Sequence, residues 1–483
     1  MIQPIEYFKK ISTIPRGSGN EKAIADYIEA IAKENGLFCL RDSCSNVFVR
    51  RNASVGYGNA PAILFAAHTD MVCEKTPASA HNFLTDPLDL REKDGYIYAE
   101  GTTLGADDGA GVAAMLSLMT DPDIIAPETE YLFTSSEETG MDGAFGFDYS
   151  TVHAEKIINL DCGVECHACV GSAAGQKFEM KMPFDRTRKS GKSVRITVSG
   201  LAGGHSGGEI DSGNRSAIKI LCELLTEIYN GYPFNLISIC GGGKSNVIPT
   251  EAEAVVSFCG TDEEKTAKAV TAEFEKATRT VLFSADRKGF KVRFNRLKEA
   301  ESAEISEMMT LKSTSRALSL LTVIPQGVLS RLPDSRSVMS SNNLGILSTK
   351  ENYISLDLHP RYGSAREAKV TENTVHRIAH TFDAELVLSG AYPGWEYRSS
   401  SPLQSLYADA CQHFYGKTPS FSAVHAGLEC GIFYERLAAL GKSPDIISIG
   451  PNLYDIYSVA ERMEIASLDR LYSVLKIMLG SVK

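Results

Sequence analysis

Acidic residues and one histidine follow several predicted strands at the point where each strand ends. His68 and Asp70 follow the apolar run AILFAA, and Glu137 and Glu138 follow YLFTSS in the same way. Because the carboxyl ends of strands form the ligand crevice of an open α/β sheet, these side chains are expected to meet. The complete set is His68, Asp70, Asp107, Asp108, Glu137, Glu138 and Asp161. Carboxylates crowded at apolar strand ends need partners, and a shared divalent cation satisfies all of them together.

The residue types suggest a division of roles within such a metal site. In His68-x-Asp70, the imidazole can bind a metal while the carboxylate orients the ring. One member of the pair Glu137-Glu138 can bind metal while the other acts as general base on a water molecule. Histidine and carboxylate ligands without thiolates suit catalytic zinc, manganese or cobalt. Any one of these acids alone is more often a solvated loop residue or a helix N-cap, so the hypothesis rests on their occurrence in successive elements.

The segments that carry these residues alternate between strand and helix patterns. Residues 3–35 predict two helices, and the buried strands APAILFAAHTD and AEKIINLD lie on either side of the predicted helix GAGVAAMLSLM. Asp107 and Asp108 lie in the glycine-rich loop just before that helix. Such alternation is typical of an α/β fold with a largely parallel sheet covered on both faces.

Two polar segments predict where the chain crosses between domains. They are MPFDRTRKSGKS, after about Lys181, and SGAYPGWEYRSSSPL, near residues 389 to 403. Between them lie a long helix, predicted to begin near Asn214, and strands with partial alternation such as FKVRFN and YISLDLH. We therefore predict a discontinuous α/β catalytic domain, residues 1–184 and 393–483, and an inserted α+β domain at residues 185–392.

Composition excludes several classes of protein. A chain of 483 residues is long enough for two domains, and its net charge of −11 argues against non-specific binding to nucleic acid or anionic membranes. The N-terminal MIQPIEYFKKISTIP carries charges where a secretory signal would be apolar, and no run approaches the ~18 apolar residues of a membrane span. The 11 scattered cysteines indicate reduced thiols. We predict a cytoplasmic protein with no nucleic-acid or membrane partner.

Two short motifs could suggest other chemistry. Cys162, Cys166 and Cys169 form C-x3-C-x2-C, the spacing of iron–sulfur enzymes that use S-adenosylmethionine, but buried or idle thiols explain three cysteines better. The segment GHSGG around His205 fits G-x-S-x-G, yet no helix follows at once as a nucleophile elbow requires. We therefore set both alternatives aside.

The motifs together resemble a known enzyme family. In chain order they are HTDMV, GTTLGADDGAG, SSEETGMDGA, NLD, GGHSGGEI, YPGW, HAGLECG and SIGP. This order is similar to that of the aminoacyl-histidine dipeptidases (Xaa-His dipeptidases, which cleave carnosine), members of the carboxypeptidase G-like cocatalytic zinc peptidases. The resemblance covers nearly the whole chain. It implies a catalytic domain with an inserted lid domain that can dimerise, and one or two Zn²⁺ ions, replaceable by Mn²⁺ or Co²⁺.

The resemblance also implies a role for each metal-binding residue. His68, Asp107 and Asp161 match the ligands of one zinc ion. Asp107 bridges to a second ion, which Glu138 binds. The family further implies a cis peptide bond between Asp107 and Asp108.

Further roles concern catalysis and substrate. Glu137 matches the general base, and Asp70 matches the residue that orients the metal-binding histidine. The residues matched to substrate binding are His205, Arg361, His425 and Glu429.

One position departs from the family pattern. Where the family has its last histidine ligand after Gly-Pro, the segment GPNLYDIYSVAER places Tyr457. A phenol binds zinc poorly unless deprotonated, and its ordinary pKa is about 10. Three outcomes are open: a single tightly bound metal, a second metal that uses Tyr457 or water as a weak ligand, or a catalytically impaired protein. We expect weaker binding at the Glu138 metal than at the His68 metal.

The predicted function is metal-dependent hydrolysis of dipeptides, with small Xaa-His peptides as substrates. A metal-activated water attacks the peptide carbonyl, and Glu137 takes its proton. Two alternatives belong to other classes: an amidase acting on N-acyl amino acids, and a non-catalytic paralogue that binds peptides because Tyr457 replaces the last histidine.

Overall fold

The computed structural model describes residues 2–282, 284–332 and 337–482. The chain forms two compact units. The first unit comprises Met1–Ser172, Pro393–Val424 and Leu428–Lys483, and the second comprises Ala173–Tyr392 and His425–Gly427. None of the helices in the described part of the chain combines the length and the apolar character needed to cross a bilayer.

The elements follow one another in the chain in three stretches. Up to residue 172 they are α1 (Pro4–Ile11), α2 (Lys22–Glu34), β1 (Phe38–Arg41), β2 (Val47–Arg51), β3 (Ile63–His68), β4 (Leu90–Lys93), β5 (Tyr96–Ala99), α3 (Ala106–Thr120), β6 (Thr129–Thr134), α4 (Asp142–Gly146), β7 (Lys156–Asn159) and β8 (His167–Ser172). From residue 173 to 392 they are β9 (Ala174–Pro183), β10 (Arg186–Arg188), β11 (Lys192–Ser199), α5 (Ala217–Gly231), β12 (Asn235–Gly241), β13 (Ala252–Phe258), α6 (Thr261–Val281), α7 (Ser284–Gly289), β14 (Lys291–Arg296), α8 (Glu299–Glu304), β15 (Glu307–Met309), α9 (Leu311–Val323), β16 (Gly327–Arg331), β17 (Val338–Asn342), β18 (Leu344–Thr349), β19 (Tyr353–Leu358), β20 (Arg361–Tyr362), α10 (Ala365–Thr381) and β21 (Glu385–Tyr392). The last stretch contains α11 (Pro402–Tyr415), β22 (Ser420–Val424), α12 (Glu429–Ala439), β23 (Asp445–Ser448), β24 (Leu453–Tyr454), β25 (Arg462–Glu464) and α13 (Ile465–Ser481).

The first unit is built on a mixed sheet in the order β1-β2-β6-β3-β7-β23-β8-β22. Its centre, β6-β3-β7-β23, is parallel, and β1 and β2 add an antiparallel edge. Every residue of β3 and β6 is buried, as expected of central parallel strands covered on both faces. Helix α3 packs against β3 and is buried on almost all sides because it is apolar around its whole circumference. The α/β fold predicted from the alternation of elements is confirmed.

The second unit is built on a long antiparallel sheet in the order β14-β11-β13-β12-β18-β19-β9-β20-β17-β16, with β21 also paired to β9. Helices α5, α6 and α9 pack together, and their apolar faces share one core with the strands. The chain enters this unit at Ala173, earlier than the polar segment that suggested a boundary at 184/185. Strand β9, which begins at Ala174, pairs with β19 and β21 along its length, and this pairing joins residues 174–183 to the sheet of the second unit. The helix expected near Asn214 begins at Ala217.

Candidate functional site

Three neighbouring parallel strands of the first unit carry the predicted metal-binding residues at their carboxyl ends. His68 is the last residue of β3, Glu137 and Glu138 follow β6, and Asp161 follows β7. Asp107 lies in a break at the start of α3, where its backbone is not helical. The structure therefore brings together residues that lie as far apart in the chain as His68 and Asp161, because β6, β3 and β7 are adjacent.

Two groups of potential ligand atoms share His68. In one group, single ligand atoms of His68, Asp107 and Asp161 all lie within 4.8 Å of one another, and in the other the same holds for His68, Glu137 and Glu138. The Nε2 atom of His68 lies 3.1 Å from Asp107 Oδ1. Ligand atoms of one small cation lie at such separations, so the geometry suits divalent metal.

Asp70 aligns the histidine with the loop after β6. Its Oδ1 lies 3.4 Å from His68 Nδ1 and accepts a hydrogen bond of 3.0 Å from the backbone N–H of Glu137. Its Oδ2 accepts a hydrogen bond of 3.2 Å from the backbone N–H of Glu138. The hydroxyl of Ser18 donates a further bond to its Oδ2 at 2.7 Å. Because Asp70 is fully buried, this one carboxylate fixes both the ring and the two acids beside it.

The loop before α3 is held from two sides. The carboxylate of Glu461 accepts hydrogen bonds from the N–H groups of Leu104, Gly105 and Ala106 at 2.8 to 3.1 Å. The buried guanidinium of Arg16 donates to the carbonyls of Thr69, Asp70 and Gly105. A side chain at residue 105 would collide with Met71 and with this guanidinium, and its φ of +66° also favours glycine. The peptide bond between Asp107 and Asp108 is cis, as the resemblance implied.

The acids of this cluster cannot all carry a charge without a counter-ion. Burial, followed by the charge of Asp107, raises the pKa of Glu137 to about 7 and that of Glu138 to about 9. The same causes raise the pKa of Asp161 well above its ordinary range. Burial opposes ionisation of Asp107 too and is the largest single influence, but the hydrogen bond and charge of His68, together with the hydrogen bonds from Asp161 and Tyr457, outweigh it and lower the pKa. Glu138 Oε1 and Asp108 Oδ2 are buried without a hydrogen-bond partner, so the residues present fit a divalent cation.

Metal-free protein is expected to lose stability as the pH rises. A carboxyl whose pKa is raised by folding contributes stability that is complete below its unfolded pKa and is lost as the pH rises through the folded pKa. For Glu137 and Glu138 this window extends from their ordinary value of 4.5 to about 7 and about 9. The Tm of metal-stripped protein, followed by circular dichroism, should therefore fall from pH 5 to pH 9 by roughly several degrees.

The substitution Glu138→Gln should flatten that fall, because glutamine has no proton to lose. The matched change Glu100→Gln, at an exposed position away from the cluster, should leave it as it is. A Tm that rises over the same pH range would contradict the assignment of these pKa values.

Tyr457 lies at the acidic cluster. Its residue is 49% exposed, but its phenol forms a side-chain hydrogen bond with Asp107. Burial of the phenol, together with the charges of Asp107 and Glu138, raises its pKa far above the ordinary value. The phenol is therefore neutral in metal-free protein and can donate its proton to the Asp107 carboxylate.

Glu429 lies under the same strand ends. Located at the start of α12, it is buried, and its Oε2 accepts a hydrogen bond of 2.8 Å from the hydroxyl of Thr134, the last residue of β6. Burial and the charge of Glu137 raise its pKa well above the ordinary value. Glu429 is therefore expected to keep its proton beside the acidic cluster.

The remaining substrate-binding candidates meet in the second unit. The guanidinium of Arg361 donates to the hydroxyl of Tyr392 at 2.6 Å and lies 3.4 Å from His205 Nε2, while its Nε has no partner. His425 Nε2 lies 2.8 Å from the hydroxyl of Ser341. Burial, then the charge of Arg361, lowers the pKa of His205 and of His425 to about 4. The cluster thus presents one buried cation among neutral imidazoles, which suits a small anion.

His359 and Tyr392 also belong to this group. His359 Nε2 lies 3.4 Å from the Tyr392 hydroxyl, and burial, then Arg361, lowers the pKa of His359 to about 3. Gly207 packs so closely that an added Cβ would lie 2.6 Å from the carbonyl of His425. The second glycine of GHSGG is therefore required by the close approach of these two segments.

Comparison with known proteins places this arrangement in a family. The family model described as peptidase family M20/M25/M40 matches residues 64–480. The chain belongs to peptidase family M20/M25/M40. The predictions of a metallopeptidase and of its fold are confirmed.

Two relatives of this M20 peptidase match it over almost its full length. Cytosol non-specific dipeptidase of Escherichia coli (strain K12) is 30% identical over 484 residues, 99% of this chain and 98% of the relative. The crystal structure of aminoacylhistidine dipeptidase from Vibrio alginolyticus superposes with a TM-score of 0.83 at 28% identity, over 99% of this chain and 96% of that one. A tripeptidase from Staphylococcus aureus shares the fold, with a TM-score of 0.57 at 16% identity.

Several residues were not found from the sequence. In the first unit they are Arg16, Ser18 and Glu461, which contact the acidic cluster or the loop before α3. In the second unit they are His359 and Tyr392, which lie beside Arg361. Arg16 and Ser18 lie in a loop after α1 that carries no motif, and only the folded chain brings them to Asp70. His359 lies two positions before Arg361 on the segment LHPRYGS, and this spacing was a usable indication.

Proposed function

We propose that this M20 peptidase is a metal-dependent dipeptidase. The observation that carries the proposal is the pair of ligand groups sharing His68, within which Glu138 Oε1 has no protein partner. We assign His68, Asp107 and Asp161 to one metal, and Asp107 and Glu138 to a second. Zn²⁺ suits these ligands, and Mn²⁺ or Co²⁺ are the alternatives.

The catalytic roles follow from the chemistry of each side chain. A bound divalent cation would polarise the peptide carbonyl and make water acidic enough to attack it. Glu137, whose metal-free pKa of about 7 suits proton exchange near neutral pH, accepts the proton of the attacking water and donates it to the leaving amine. Asp70 keeps the His68 ring oriented through its Nδ1.

We further propose that Tyr457 acts on the cluster through Asp107. A neutral phenol is a poor ligand, and its proton already bonds the carboxylate that would bridge two metals. Asp107 and Glu138 would then hold a second metal without an imidazole, and this metal would bind less tightly than the first.

The cluster around Arg361 supports an anionic substrate group. We propose that Arg361, His205 and His425 bind the terminal carboxylate of the peptide, and that Glu429 shapes the surroundings of Glu137. The Vibrio alginolyticus structure is of an aminoacylhistidine dipeptidase, which favours Xaa-His substrates here. The Escherichia coli relative is a dipeptidase of the cytosol, and this supports the predicted cytoplasmic location of the present protein. Dimerisation through residues 185–392 stays a prediction.

The substitution Arg361→Met should raise KM by about 10–100-fold with a smaller change in kcat, because a charged hydrogen bond to the substrate is lost. Steady-state kinetics on a dipeptide and on its C-terminal amide test this. The unmodified enzyme should bind the amide poorly, and Arg361→Met should show no further loss with it. Arg366→Met, at an exposed position, is the matched control. Equal losses by the variant on both substrates would exclude carboxylate binding.

The dipeptidase is distinguished from its alternatives by substrate profiling. Metal-stripped protein is assayed on alanyl-histidine, β-alanyl-histidine and their N-acylated forms, with and without Zn²⁺ or Mn²⁺, alongside Tyr457→His. We expect added metal to restore cleavage of the free dipeptides. Tyr457→His should bind its second metal at least about 10-fold more tightly, as measured by metal titration.

Two other outcomes of the substrate profiling would each contradict part of the proposal. Cleavage of only the N-acylated compounds would identify an amidase, the activity class of the succinyl-diaminopimelate desuccinylases, one of which matches 32% of this chain. Cleavage by the Tyr457→His variant but not by the unmodified protein would show that the natural protein has lost its catalytic activity because Tyr457 replaces the last histidine. The full-length match to a dipeptidase favours the first result.

A further inference from the structure

A second group of side chains that could bind a metal begins at Cys162, directly after Asp161, and continues on β8. Ligand atoms of Cys162, His167 and Cys169 all lie within 4.8 Å of one another. His167 and Cys169 lie two positions apart on β8 and so share one face of that strand. The thiol of Cys169 forms a side-chain hydrogen bond with that of Cys162.

The turn that brings Cys162 back to β8 is fixed by its own contacts. The carboxylate of Glu165 pairs with Arg470 at 2.6 and 2.8 Å and accepts a bond from the Tyr415 hydroxyl at 2.9 Å. The backbone N–H of Glu165 donates to the side chain of Asn452 at 2.9 Å, and Leu453 N–H donates to the Gly163 carbonyl at 3.0 Å. The three ligand groups are therefore preorganised by the fold and are not held together by one another alone.

The imidazole of His167 has partners that can orient it. Its Nδ1 lies 2.8 Å from the hydroxyl of Ser420, and its Nε2 lies 3.2 Å from that of Ser422, both on the neighbouring strand β22. A hydroxyl that accepts from one ring nitrogen fixes the tautomer, and the other nitrogen then has its lone pair free for a metal. One of the two serine contacts would be given up on binding.

This arrangement differs from the iron–sulfur motif that the cysteine spacing resembles. The middle cysteine of C-x3-C-x2-C, Cys166, forms its side-chain hydrogen bond with Cys411 on α11. An iron–sulfur cluster of that kind needs three cysteines facing one point. Here two thiols and an imidazole do so.

We propose that Cys162, His167 and Cys169 form a binding site for a thiophilic divalent cation, with Zn²⁺ as the natural ion. Two thiolates and one imidazole supply three ligands of a tetrahedral ion, and water supplies the fourth. Binding releases the two thiol protons to solvent. The two negative thiolates then balance the two positive charges of the cation, so the bound site is neutral, as it is without metal. The site goes beyond the proposed peptidase function, because its ligands are soft while those around His68 are nitrogen and hard oxygen.

The test uses full-length, reduced, metal-stripped protein titrated with Co²⁺. Thiolate ligation gives a near-ultraviolet sulfur-to-cobalt charge-transfer band, which the ligands around His68 cannot produce. We expect the unmodified protein to show this band, with an intensity that corresponds to one thiolate-bound cobalt per chain in addition to any cobalt bound around His68. Cys162→Ser and Cys169→Ser should each abolish it, and added Zn²⁺ should bleach it.

Two variants separate this site from the peptidase site. Cys240→Ser removes an exposed cysteine of the second unit and should keep the band, as should His68→Ala, which lacks the shared ligand of the acidic cluster. Absence of the band from the unmodified protein at saturating cobalt overturns the proposal even if the serine variants fail to fold. A band that survives both serine variants overturns it as well. Failure of dipeptide cleavage bears only on the peptidase proposal.

Discussion

Replacing Glu137 by glutamine is expected to lower kcat by about 10²–10⁴-fold while leaving the bound metal in place. Glutamine has the same shape and can keep the backbone N–H bond of residue 137 to Asp70 Oδ1, which is 3.0 Å long. It cannot accept a proton from the attacking water. Because Glu137 is assigned as base and not as ligand, the loss should appear in turnover and not in metal content.

The neighbouring residue supplies a matched control. Glu138→Gln is the same chemical change one position along, and both backbones bond to Asp70. We expect Glu138→Gln to lose the weaker metal, measured by elemental analysis after dialysis, and to regain part of its activity at high metal concentration. If Glu137→Gln loses the metal and Glu138→Gln retains it, the two roles are exchanged.

The sequence predicted the parts of the site that depend on local pattern. His68, Glu137, Glu138 and Asp161 follow apolar runs, and the parallel order β6-β3-β7 brings their strand ends together, as periodicity indicated. The α/β core could be predicted for the same reason, since β3 and β6 carry the apolar runs ILFAA and YLF and are buried along their whole length. Asp107 was different. Its place in the site came from the resemblance, because a glycine-rich loop before a helix has many uses.

What the sequence could not supply depends on contacts between distant segments. Arg16 reaches the carbonyl of Asp70 across 54 positions, and Glu461 caps the loop at Leu104 across 357. Neither lies in a periodic element next to the site, so no local pattern marks them. The start of the second unit depends on such contacts as well: the polar character of residues 182–193 suggested a boundary at 184/185, and the pairing of β9 with β19 groups the chain with the second unit from Ala173 onward.

The acids of the site illustrate how function can cost stability. In the metal-free chain, the carboxylates of Asp161, Glu137 and Glu138 lie near one another and near Asp107, and their raised pKa values show that ionisation is unfavourable there. Such crowding is tolerated where a cation offsets it, and this is typical of active sites. Neutralising one acid should therefore affect stability and activity in opposite directions.

Asp161→Asn is the substitution that shows this most clearly. Asparagine keeps the shape of the side chain and cannot ionise, whereas burial and the charge of Asp107 disfavour ionisation of Asp161, so metal-free Asp161→Asn should lose less stability than the unmodified chain as the pH rises. It should bind its first metal more than about 100-fold more weakly, since loss of a residue that only supports a ligand already costs 10–100-fold. Dipeptide cleavage at limiting metal should fall accordingly.

The measurement that decides is a comparison of Tm with and without added Zn²⁺ for both proteins. Metal binding to the folded state should raise the Tm of the unmodified chain by more than that of Asp161→Asn, because stabilisation grows with the ratio of free metal to Kd. If Asp161→Asn is instead less stable without metal and is stabilised by Zn²⁺ to the same extent, then Asp161 serves packing and hydrogen bonding at the end of β7, and the first metal must be held by His68 and Asp107 without it.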